Sequence, residues 1–514
     1  MMVRVALAMA IWAALSASAH AADRRFALVI GWNRSDDPQL APLRYADDDA
    51  LRDHEVLAAI SEKAFVFTEM DDETAGLLGE RHVAAPTRAR VLDALQELRG
   101  AMARAKQAGD RPILCFVYSG HGSVDAEGRG YVYLADGRFT ARDLFGRVLA
   151  PTADDTVILM IDACNAALMV NGRGAPAERR PVGASRLDLA DYPNVGVILA
   201  SSSLGETHEW GRYLAGIFSH EVRSGLLGAA DLDDDQQITF AELAAFVSSA
   251  NARVKNPTIR VTPYIRPPLT DPNIAIVDLA RGRFRAKLRI DRTIAGKAHV
   301  VDEDLVRYAD FHRTAGSPAF WLALTRPGEA TLVADEAEWV VPAKANGELA
   351  LAALEKRARG KLSARGPGSE YFDRTLFHQA FDLPYAEKYL TLDYLGDLTL
   401  ERFIQAPWYD NDTAWVTLGA GLAATAAGIG MQVHAYALAS DAESAPWADQ
   451  RRRLNGDIGT YQTGAAILYG VGGAAALTGI LLFVLDPHPA RIESWRPPLG
   501  IELISNGVRL RTGF

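Results

Sequence analysis

The sequence contains only two cysteines, Cys115 and Cys164, among its 514 residues. This scarcity excludes a framework of several disulfides, although two cysteines in an exported protein would by default pair with each other. If each belongs to a separate strand of one sheet, Cys115 lies six residues before His121, about 20 Å along its strand. A disulfide requires Cα atoms within about 7 Å. We therefore expect Cys115 to be a buried apolar residue, and Cys164 to be a thiol retained for its chemistry.

Long basic runs are also absent from the sequence. Lysine and arginine number 54 against 64 aspartate and glutamate residues, which gives a formal net charge of −10. Nucleic-acid binding favours a concentrated positive surface, so nucleic acid is not an expected partner. Domains usually contain about 100 to 200 residues, so a chain of this length is expected to form two or three folded units.

The first 22 residues have the pattern of a secretory signal peptide. Arg4 precedes an apolar stretch, Val5 to Leu15, and small residues then lead to Ala21. This order predicts cleavage after Ala21 or Ala22. An uncleaved N-terminal anchor is the alternative, but the apolar stretch is short for a membrane span. In either case we expect the following domain to be exported.

Two long uncharged segments near the C-terminus, residues 413–434 and 463–485, are each long enough to cross a bilayer. Buried helices of a soluble domain are the alternative. The segment between them, residues 435–462, contains Arg451 to Arg453, so the positive-inside rule predicts that it is cytoplasmic. Both flanks, including the tail at 486–514, would then face the non-cytoplasmic, periplasmic side. The membrane is therefore an expected partner.

The N-terminal half alternates apolar strand patterns with helical patterns, which predicts an α/β fold with a mostly parallel sheet and helices on both faces. Two of its strands end at reactive residues: "CFVYSGHGS" contains His121 and "VILMIDACNAA" contains Cys164. Parallel strands place their carboxyl ends at one rim of a sheet. A histidine beside a cysteine can stabilise the thiolate that attacks a carbonyl, and the amides of Gly122 and Cys164 are candidate donors to the oxyanion.

The second half of the chain changes character. A linker with five prolines, residues 257–275, is expected to lead into a small β-rich module at residues 276–400. We identify no metal-ligand spacing and no nucleophile arrangement in this module, and its role stays open.

Four motifs in the first half resemble the caspase-like cysteine peptidase superfamily, specifically its bacterial, metacaspase-like branch. They are "ALVIGW…LRYADDDALRDHEVL", "YSGHGS", "IDACNA" and "LLGAADLDDDQQITFAELAAFV". The resemblance covers about Arg24 to Asn256, within a predicted peptidase domain at residues 23–256. It implies a caspase-type sheet, with His121 as the catalytic histidine and Cys164 as the nucleophile. Ala46 and Asn165 depart from the metacaspase pattern, which often has Cys and His at these positions.

The same resemblance implies a pocket for the substrate residue before the cleaved bond, P1. Asp49, Ser119 and Asp162 match the metacaspase residues that line it. Two carboxylates attract a guanidinium or an ammonium group, so the implied substrate is a polypeptide with Arg or Lys at P1. An N-terminal helix charge is the alternative reading of Asp49. Asp47 and Asp48 are expected to be solvated.

An acidic stretch, "DLDDDQQITFAE", has the spacing of an EF-hand calcium loop. Gln236 occupies the sixth position, where glycine is usual and eases the sharp turn. A capped acidic turn before a helix is the alternative to a calcium site. No cofactor is required by the predicted chemistry. The candidate calcium ligands are Asp231, Asp233, Asp235, Gln237 and Glu242.

These observations predict an exported, membrane-tethered cysteine endopeptidase. A catalytically silent caspase-like domain that acts as an interaction or sensor module is the alternative. A third interpretation assigns the main function to the β-rich module and to the hairpin that the two membrane segments would form, with the protease domain as their regulator.

The polar loop after Cys164 is expected to be exposed and prone to cleavage. It contains the arginines that the predicted pocket would accept. Self-cleavage is therefore predicted after Arg173, Arg179 or Arg186, and a loop that its own active site does not cut is the alternative. Arg180 precedes Pro181 and is a poor site.

Overall fold

The computed structural model describes most of the chain as two compact units, Met1–Leu395 and Gly396–Phe514. The residues that it describes are 21–79, 82–125, 129–170, 189–201, 209–256, 260–304, 306–334, 337–358, 367–390, 400–405, 411–485, 490–495, 499–504 and 507–512. Residues 1–20 of the predicted signal peptide and the predicted self-cleavage sites Arg173, Arg179 and Arg186 lie outside these residues.

The N-terminal domain alternates strands and helices as its pattern predicts. Its strands are β1 Asp23–Trp32, β2 Ser61–Phe67, β3 Arg111–Gly120, β4 Gly122–Val124, β5 Gly130–Leu134, β6 Gly137–Thr140, β7 Thr156–Asp162, β8 Val195–Ser201, β9 Glu209–Trp210, β10 Ala215–Gly216, β11 Gln237–Thr239 and β12 Thr262–Arg266. Its helices are α1 Ala46–Ile60, α2 Asp72–Leu78, α3 Arg88–Gln107, α4 Ala141–Asp143, α5 Ala166–Val170, α6 Ile217–Ser224 and α7 Phe240–Asn251.

The central sheet has six strands in the order β12-β8-β7-β3-β1-β2. All neighbours are parallel except β12, which runs antiparallel to β8. The middle strands are apolar and buried along almost their whole length, as expected for a sheet covered on both faces. One face packs against α3 and the other against α1, α6 and α7, which confirms the predicted mostly parallel architecture.

The segment predicted to be a linker differs from that expectation. Residues 262–266 form β12, an edge strand of the central sheet, with Tyr264 opposite Leu199. The prolines did not exclude a strand because Pro263 lies near the start of an edge strand, where proline is tolerated. The N-terminal domain therefore extends beyond the predicted boundary at residue 256.

The β-rich module follows, as predicted, and consists of two small sheets. Its elements are β13 Ala275–Asp278, β14 Ala286–Ile290, β15 Gly296–Asp302, β16 Arg307–Arg313, β17 Phe320–Leu324, β18 Ala330–Val333, β19 Ala337–Val341, β20 Gly347–Ala350, β21 Glu355–Ala358, α8 Pro367–Thr375 and α9 Leu383–Leu390. Strands β17-β14-β20 form one sheet, and β16-β15-β18-β19-β21 form the other.

The β-rich module shares a hydrophobic core with the N-terminal domain. β13 pairs with β11, and the buried Arg25 of β1 donates hydrogen bonds to the carbonyls of Ala275 and Ile276. A Cβ atom on Gly228 would approach the carbonyl oxygen of Trp321 within 1.9 Å, so the two backbones touch at this glycine. The module is therefore packed onto the N-terminal domain and is not a separate body on a tether.

The second unit contains two long helices, α10 Asp412–Ser444 and α11 Ala448–Leu485. Both are long and apolar enough to cross a membrane, as judged by length and composition. Small residues spaced seven positions apart along α10 are buried between the two helices. At one of them, Gly421, the backbone comes close to the backbone of Gly472 and Ala476 in α11. Large apolar residues such as Trp415, Val416 and Leu422 are exposed instead.

The remaining strands of the second unit flank this hairpin. β22 Leu400–Gln405 pairs antiparallel with β23 Ala490–Trp495, and β24 Leu499–Ile504 pairs with β25 Gly507–Thr512. The segment between the two predicted spans consists of helix ends around a short turn at residues 445–447, and is not an irregular loop.

Candidate active site

His121 and Cys164 follow the ends of two adjacent parallel strands. β3 pairs with β7 so that Ser119 lies opposite Asp162, and each reactive residue comes two positions later in the chain, just beyond the end of its strand. The two segments therefore leave the same rim of the sheet side by side. The strands themselves are held by continuous burial of their apolar residues, which leaves the rim as the place where polar chemistry begins.

The imidazole of His121 is held in one orientation. Its Nε2 lies 3.0 Å from the carbonyl oxygen of Ala41, and its ring packs edge-on against Tyr133 at 6.4 Å between centroids. Because a carbonyl oxygen only accepts, Nε2 carries the proton and Nδ1 is the acceptor nitrogen of the neutral ring. A ring held in this tautomer is able to take a thiol proton at Nδ1.

The backbones of the two reactive segments are in close contact at Gly122. A Cβ atom on Gly122 would lie 2.2 Å from the carbonyl oxygen of Cys164 and 3.1 Å from the Cβ of Ala163. Only glycine permits this approach. Cys164 is half-buried, and the following residue, Asn165, has a left-handed φ of 59°. The amides of Gly122 and Cys164 thus belong to neighbouring segments, and their role as oxyanion donors stays a prediction.

Cys115 is chemically separate from this rim. It is buried within β3 and forms no disulfide, which confirms the expectation from strand geometry. Burial raises the pKa of its thiol to about 11, because the charged thiolate is disfavoured away from water. Cys115 is therefore a core residue.

Asp162 lies at the end of β7 and is almost fully buried. Its Oδ2 accepts a hydrogen bond of 2.6 Å from the hydroxyl of Ser219, whereas its Oδ1 is buried without a hydrogen-bond partner among the described residues. Burial raises the pKa of Asp162 to about 6, and the Ser219 hydrogen bond opposes the shift. One oxygen of this buried carboxylate is thus left without a hydrogen bond among the described residues.

Asp49, the second predicted pocket carboxylate, has a different environment. Its Oδ2 accepts from the backbone amide of Gly216 at 2.8 Å, and its Oδ1 accepts from Arg223 at 3.2 Å. Arg223 also binds Asp53 at 3.0 Å. Burial raises the pKa of Asp49, and the Arg223 guanidinium opposes this shift.

The structure brings the two predicted carboxylates together at Gly216. A Cβ atom on this glycine would lie 3.1 Å from both Asp49 Oδ2 and Asp162 Oδ2. Ser119, the third predicted pocket residue, is buried opposite Asp162. Asp49 and Asp162 are therefore close together, but Asp49 already binds Arg223 of the same chain.

The expectation that Asp47 and Asp48 are solvated is wrong, because both are buried. Asp47 accepts from the side-chain amide of Asn33 and the backbone amide of Asp71. Asp48 binds Arg52 one helical turn away at 3.0 Å. Helix α1 thus presents a layer of charge into the protein, where it is satisfied by partners from several elements.

The acidic loop places three carboxylates close together. One oxygen each from Asp231, Asp233 and Asp235 lies within 4.8 Å of the others. Gln236 adopts a φ of 64°, so it takes the turn conformation that glycine usually provides. Asp231 already accepts from two backbone amides of the loop, as it would in either a calcium site or an acidic turn.

The other two candidate calcium ligands have partners within the protein. Glu242 forms a capping box with Thr239 and also accepts from the amide of Leu232. Gln237 donates its side-chain amide to Asp235. The geometry thus contains both a cluster of carboxylates and a well-formed helix cap.

Three residues that organise the acidic pair belong to none of the sequence motifs, namely Gly216, Ser219 and Arg223. Ser219 and Arg223 are one turn apart on α6, and the whole of this helix is buried. Polar residues inside an apolar helix were the available signal, since a buried charge requires a partner.

The N-terminal domain matches a known protein family. The family model for the caspase domain matches residues 24–262. A search of curated proteins finds no match. Among solved structures, a protein from Geobacter sulfurreducens has 13% identity and a TM-score of 0.31, over 50% of this chain and 99% of its own. The procaspase pro-sf-caspase-1 has 12% identity and a TM-score of 0.29, over 48% of this chain and 88% of its own.

Proposed function

We propose that this chain, whose residues 24–262 form a caspase-family domain, is a membrane-anchored cysteine endopeptidase that cleaves after Arg or Lys. The observation that carries the proposal is the position of His121 and Cys164 on touching segments at one rim of the sheet. A thiol and an imidazole are the minimum set for covalent hydrolysis of a peptide bond.

In the proposed reaction, the thiol of Cys164 transfers its proton to His121 Nδ1 and its sulfur attacks the carbonyl carbon of the substrate. The amides of Gly122 and Cys164 stabilise the oxygen that becomes negative. His121 returns the proton to the departing amine, which leaves an acyl-enzyme. Water then hydrolyses this thioester, with His121 as the base, and restores the thiol.

The P1 side chain is proposed to bind chiefly to Asp162. Its Oδ1 lacks a partner among the described residues, whereas both oxygens of Asp49 accept hydrogen bonds from Gly216 and Arg223. A guanidinium or an ammonium group supplies the donor and the charge that Asp162 requires. Asp49 would contribute to the negative field of the pocket and position Gly216.

The anchoring function is assigned to the helical hairpin α10–α11. Its helices expose large apolar residues and bury small ones, which suits contact with lipid outside and close helix packing inside. The arginines Arg451 to Arg453 favour a cytoplasmic turn, which would leave the caspase-family domain on the exported, periplasmic side.

A panel of peptides tests the proposal. The full chain in detergent should hydrolyse substrates with Arg or Lys at P1 and leave matched Asp-P1 substrates intact. An Arg-directed, thiol-reactive peptide should label Cys164 and leave Cys115 unlabelled, which peptide mapping by mass spectrometry distinguishes. Absence of both hydrolysis and labelling would favour the alternative, a silent caspase-like domain that acts as an interaction or sensor module.

Calcium binding at the acidic loop is a separate proposal, supported by the three clustered carboxylates of Asp231, Asp233 and Asp235. Gln237 and Glu242 would contribute only by giving up hydrogen bonds that they make to Asp235, Thr239 and Leu232. The peptidase chemistry itself requires no cofactor.

A further inference from the structure

A small recess lies where helices α1 and α6 meet the β-rich module. Its volume is about 10 Å³, enough for one particle of the size of a water molecule. Four arginines line it, of which Arg52 and Arg223 come from the caspase-family domain and Arg307 and Arg326 come from the module. No role in the proposed peptidase chemistry has been assigned to this recess.

Each of the four arginines has a buried N–H group without a hydrogen-bond acceptor among the residues that the structure describes. The groups are Arg52 Nε, Arg223 Nη2, Arg307 Nη1 and Arg326 Nη2. The side chains of Arg52 and Arg223 are 6% and 3% exposed, so bulk water does not satisfy them. A buried donor without an acceptor is costly, and each such group calls for an explanation.

The arginines are not able to turn these groups toward other partners, because ion pairs fix their remaining nitrogens. Arg52 Nη2 binds Asp48, Arg223 Nη1 binds Asp49 and Asp53, and Arg326 Nε binds Glu55. Rotation of any guanidinium would break a buried or half-buried ion pair. The unsatisfied donors are therefore a fixed feature of the recess.

The lining has more positive than negative groups. Besides the four arginines it contains the two acids Glu55 and Asp302. Glu55 binds Arg326, and Asp302 accepts from the amide of Val306. Arg307 Nη1 lies 3.3 Å from Asp310 Oδ1. Each arginine thus has an acidic partner, and the recess itself offers N–H donors that lack an acceptor and very little space.

We propose that this recess is a binding site for a single halide ion, chloride under physiological conditions, held by Arg52, Arg223 and Arg326. A monatomic anion matches the donors and the size, whereas sulfate, phosphate and carboxylates are too large. Because its donors come from both partners, the ion joins the β-rich module to the caspase-family domain. This inference does not depend on the proposed peptidase activity.

Thermal unfolding of the full chain in detergent tests the site. Unfolding is followed in sodium chloride, bromide, gluconate and sulfate at equal ionic strength. An ion that binds only the folded state raises the Tm, so 0.1 M chloride or bromide should raise it by about 2 °C or more over gluconate. Sulfate should behave as gluconate does. Equal Tm values in all four salts would mean that water alone occupies the recess, and would overturn the proposal.

Two variants separate this site from general salt effects. Arg326→Gln removes one donor, and its halide shift should disappear. Arg283→Gln is the matched control, because Arg283 also reaches from the module to carbonyls of the N-terminal domain, at Ala58 and Ser61, without lining the recess. It should keep the full shift even if its Tm is lower. A halide shift that persists in Arg326→Gln overturns the assignment.

If Arg326→Gln fails to fold, Arg326→Lys keeps the charge beside Glu55 and removes Nη2, and it should weaken the halide shift. Crystals of the wild-type chain grown with bromide give a direct answer by anomalous scattering. A bromide peak among Arg52, Arg223 and Arg326 supports the site. An empty anomalous map at that place rejects it.

Discussion

Two polar regions of the N-terminal domain use charge differently. The strand-end rim contains His121, Cys164 and Asp162, which lie at or just after the ends of two adjacent parallel strands. The helix layer, between α1 and α6, contains Asp49, Asp53 and Arg223, which are buried and bind one another. A buried carboxylate is therefore not by its presence alone a ligand for the substrate. Its existing partners decide whether it binds the substrate or positions neighbouring residues.

The largest expected effect is at the rim. Cys164→Ala should lower kcat/KM for Arg-P1 peptides by at least about 10³-fold, because it removes the nucleophile. The Tm should stay close to that of the wild type, since the residue is small and half-buried. Activity assays beside thermal unfolding check both statements. Wild-type activity in the variant would contradict the mechanism, and Cys115→Ala is the matched control that should stay active.

Self-cleavage is the next largest expected effect. It should occur in the wild-type chain and be absent from Cys164→Ala. The loop that follows the Cys164 segment contains Arg173, Arg179 and Arg186, and the wild-type chain is predicted to cut after at least one of them. Mass spectrometry of purified wild type and Cys164→Ala detects the fragments. The interpretation fails if Arg-terminated fragments are missing from wild type, or if they are equally present in the variant.

The two carboxylates provide the sharpest test of the comparison. Asp162→Asn should lower kcat/KM for Arg-P1 substrates by about 10- to 100-fold, because one charge-assisted hydrogen bond contributes about 1.5–3 kcal/mol. Asp49→Asn should instead lower the free energy of unfolding by about 2 kcal/mol, because it weakens the bond to the buried Arg223. Asp53→Asn, which touches the same arginine, is the control for Asp49→Asn.

The distinction between the two regions is wrong if Asp49→Asn and Asp162→Asn have the same effects. Denaturant unfolding and steady-state kinetics of the three variants decide this. If Asp49→Asn loses Arg-P1 cleavage as strongly as Asp162→Asn while its stability is unchanged, then both acids bind the substrate directly.

The pH dependence sharpens the role of Asp162. Its pKa is raised to about 6 by burial, so the carboxyl is neutral below that pH and charged above it. KM for Arg-P1 peptides should therefore rise as the pH falls through about 6, and this limb should be absent in Asp162→Asn. A KM that is constant from pH 5 to pH 8 would contradict the assignment.

The same shift has a consequence for stability. A carboxyl whose pKa is higher in the folded protein than in the unfolded chain stabilises the fold at low pH, and this contribution is lost as the pH rises through about 6. Asp162→Asn should therefore be at least as stable as the wild type at pH 8. Unfolding of both proteins at pH 5 and pH 8 measures the difference.

Calcium is expected to have the smallest effect. If the acidic loop binds it, millimolar calcium should raise the Tm by about 1–3 °C, and more at pH 8 than at pH 6. The reason is that burial raises the pKa of Asp231 to about 6 and that of Glu242 to about 7. Asp233→Asn should abolish the response to calcium. Asp234→Asn should keep it, because Asp234 lies in the same loop but pairs with Arg289 of β14. A response to calcium that magnesium reproduces equally would argue for a non-specific effect.

Much of the central sheet was predictable from the sequence. The apolar runs that form β3 and β7 appear where the pattern predicts them, because a strand buried on both faces must be apolar throughout. The common rim of His121 and Cys164 followed from the same pattern, since parallel neighbours end on one side. The long apolar helices of the second unit were equally visible from length and composition.

Other features depended on contacts between distant parts of the chain. The prolines of the predicted linker argued against a strand there, yet residues 262–266 form β12. Its position depends on pairing with the distant strand β8 at the edge of the sheet. The pairing of Asp49 with Arg223 joins residues that are 174 positions apart, and no local period reports it. The close packing of the β-rich module on the N-terminal domain was equally invisible in the alternation of its short strands.

The sequence by itself determined which segments are strands, helices or membrane-length helices, and at which rim the thiol and the imidazole emerge, because burial imposes a local pattern on residues that are near in the chain. Only the tertiary structure decided which charges are satisfied. A buried carboxylate is a ligand, a positioning group or part of an ion pair according to the partners that folding brings to it, and those partners come from segments whose patterns carry no record of one another.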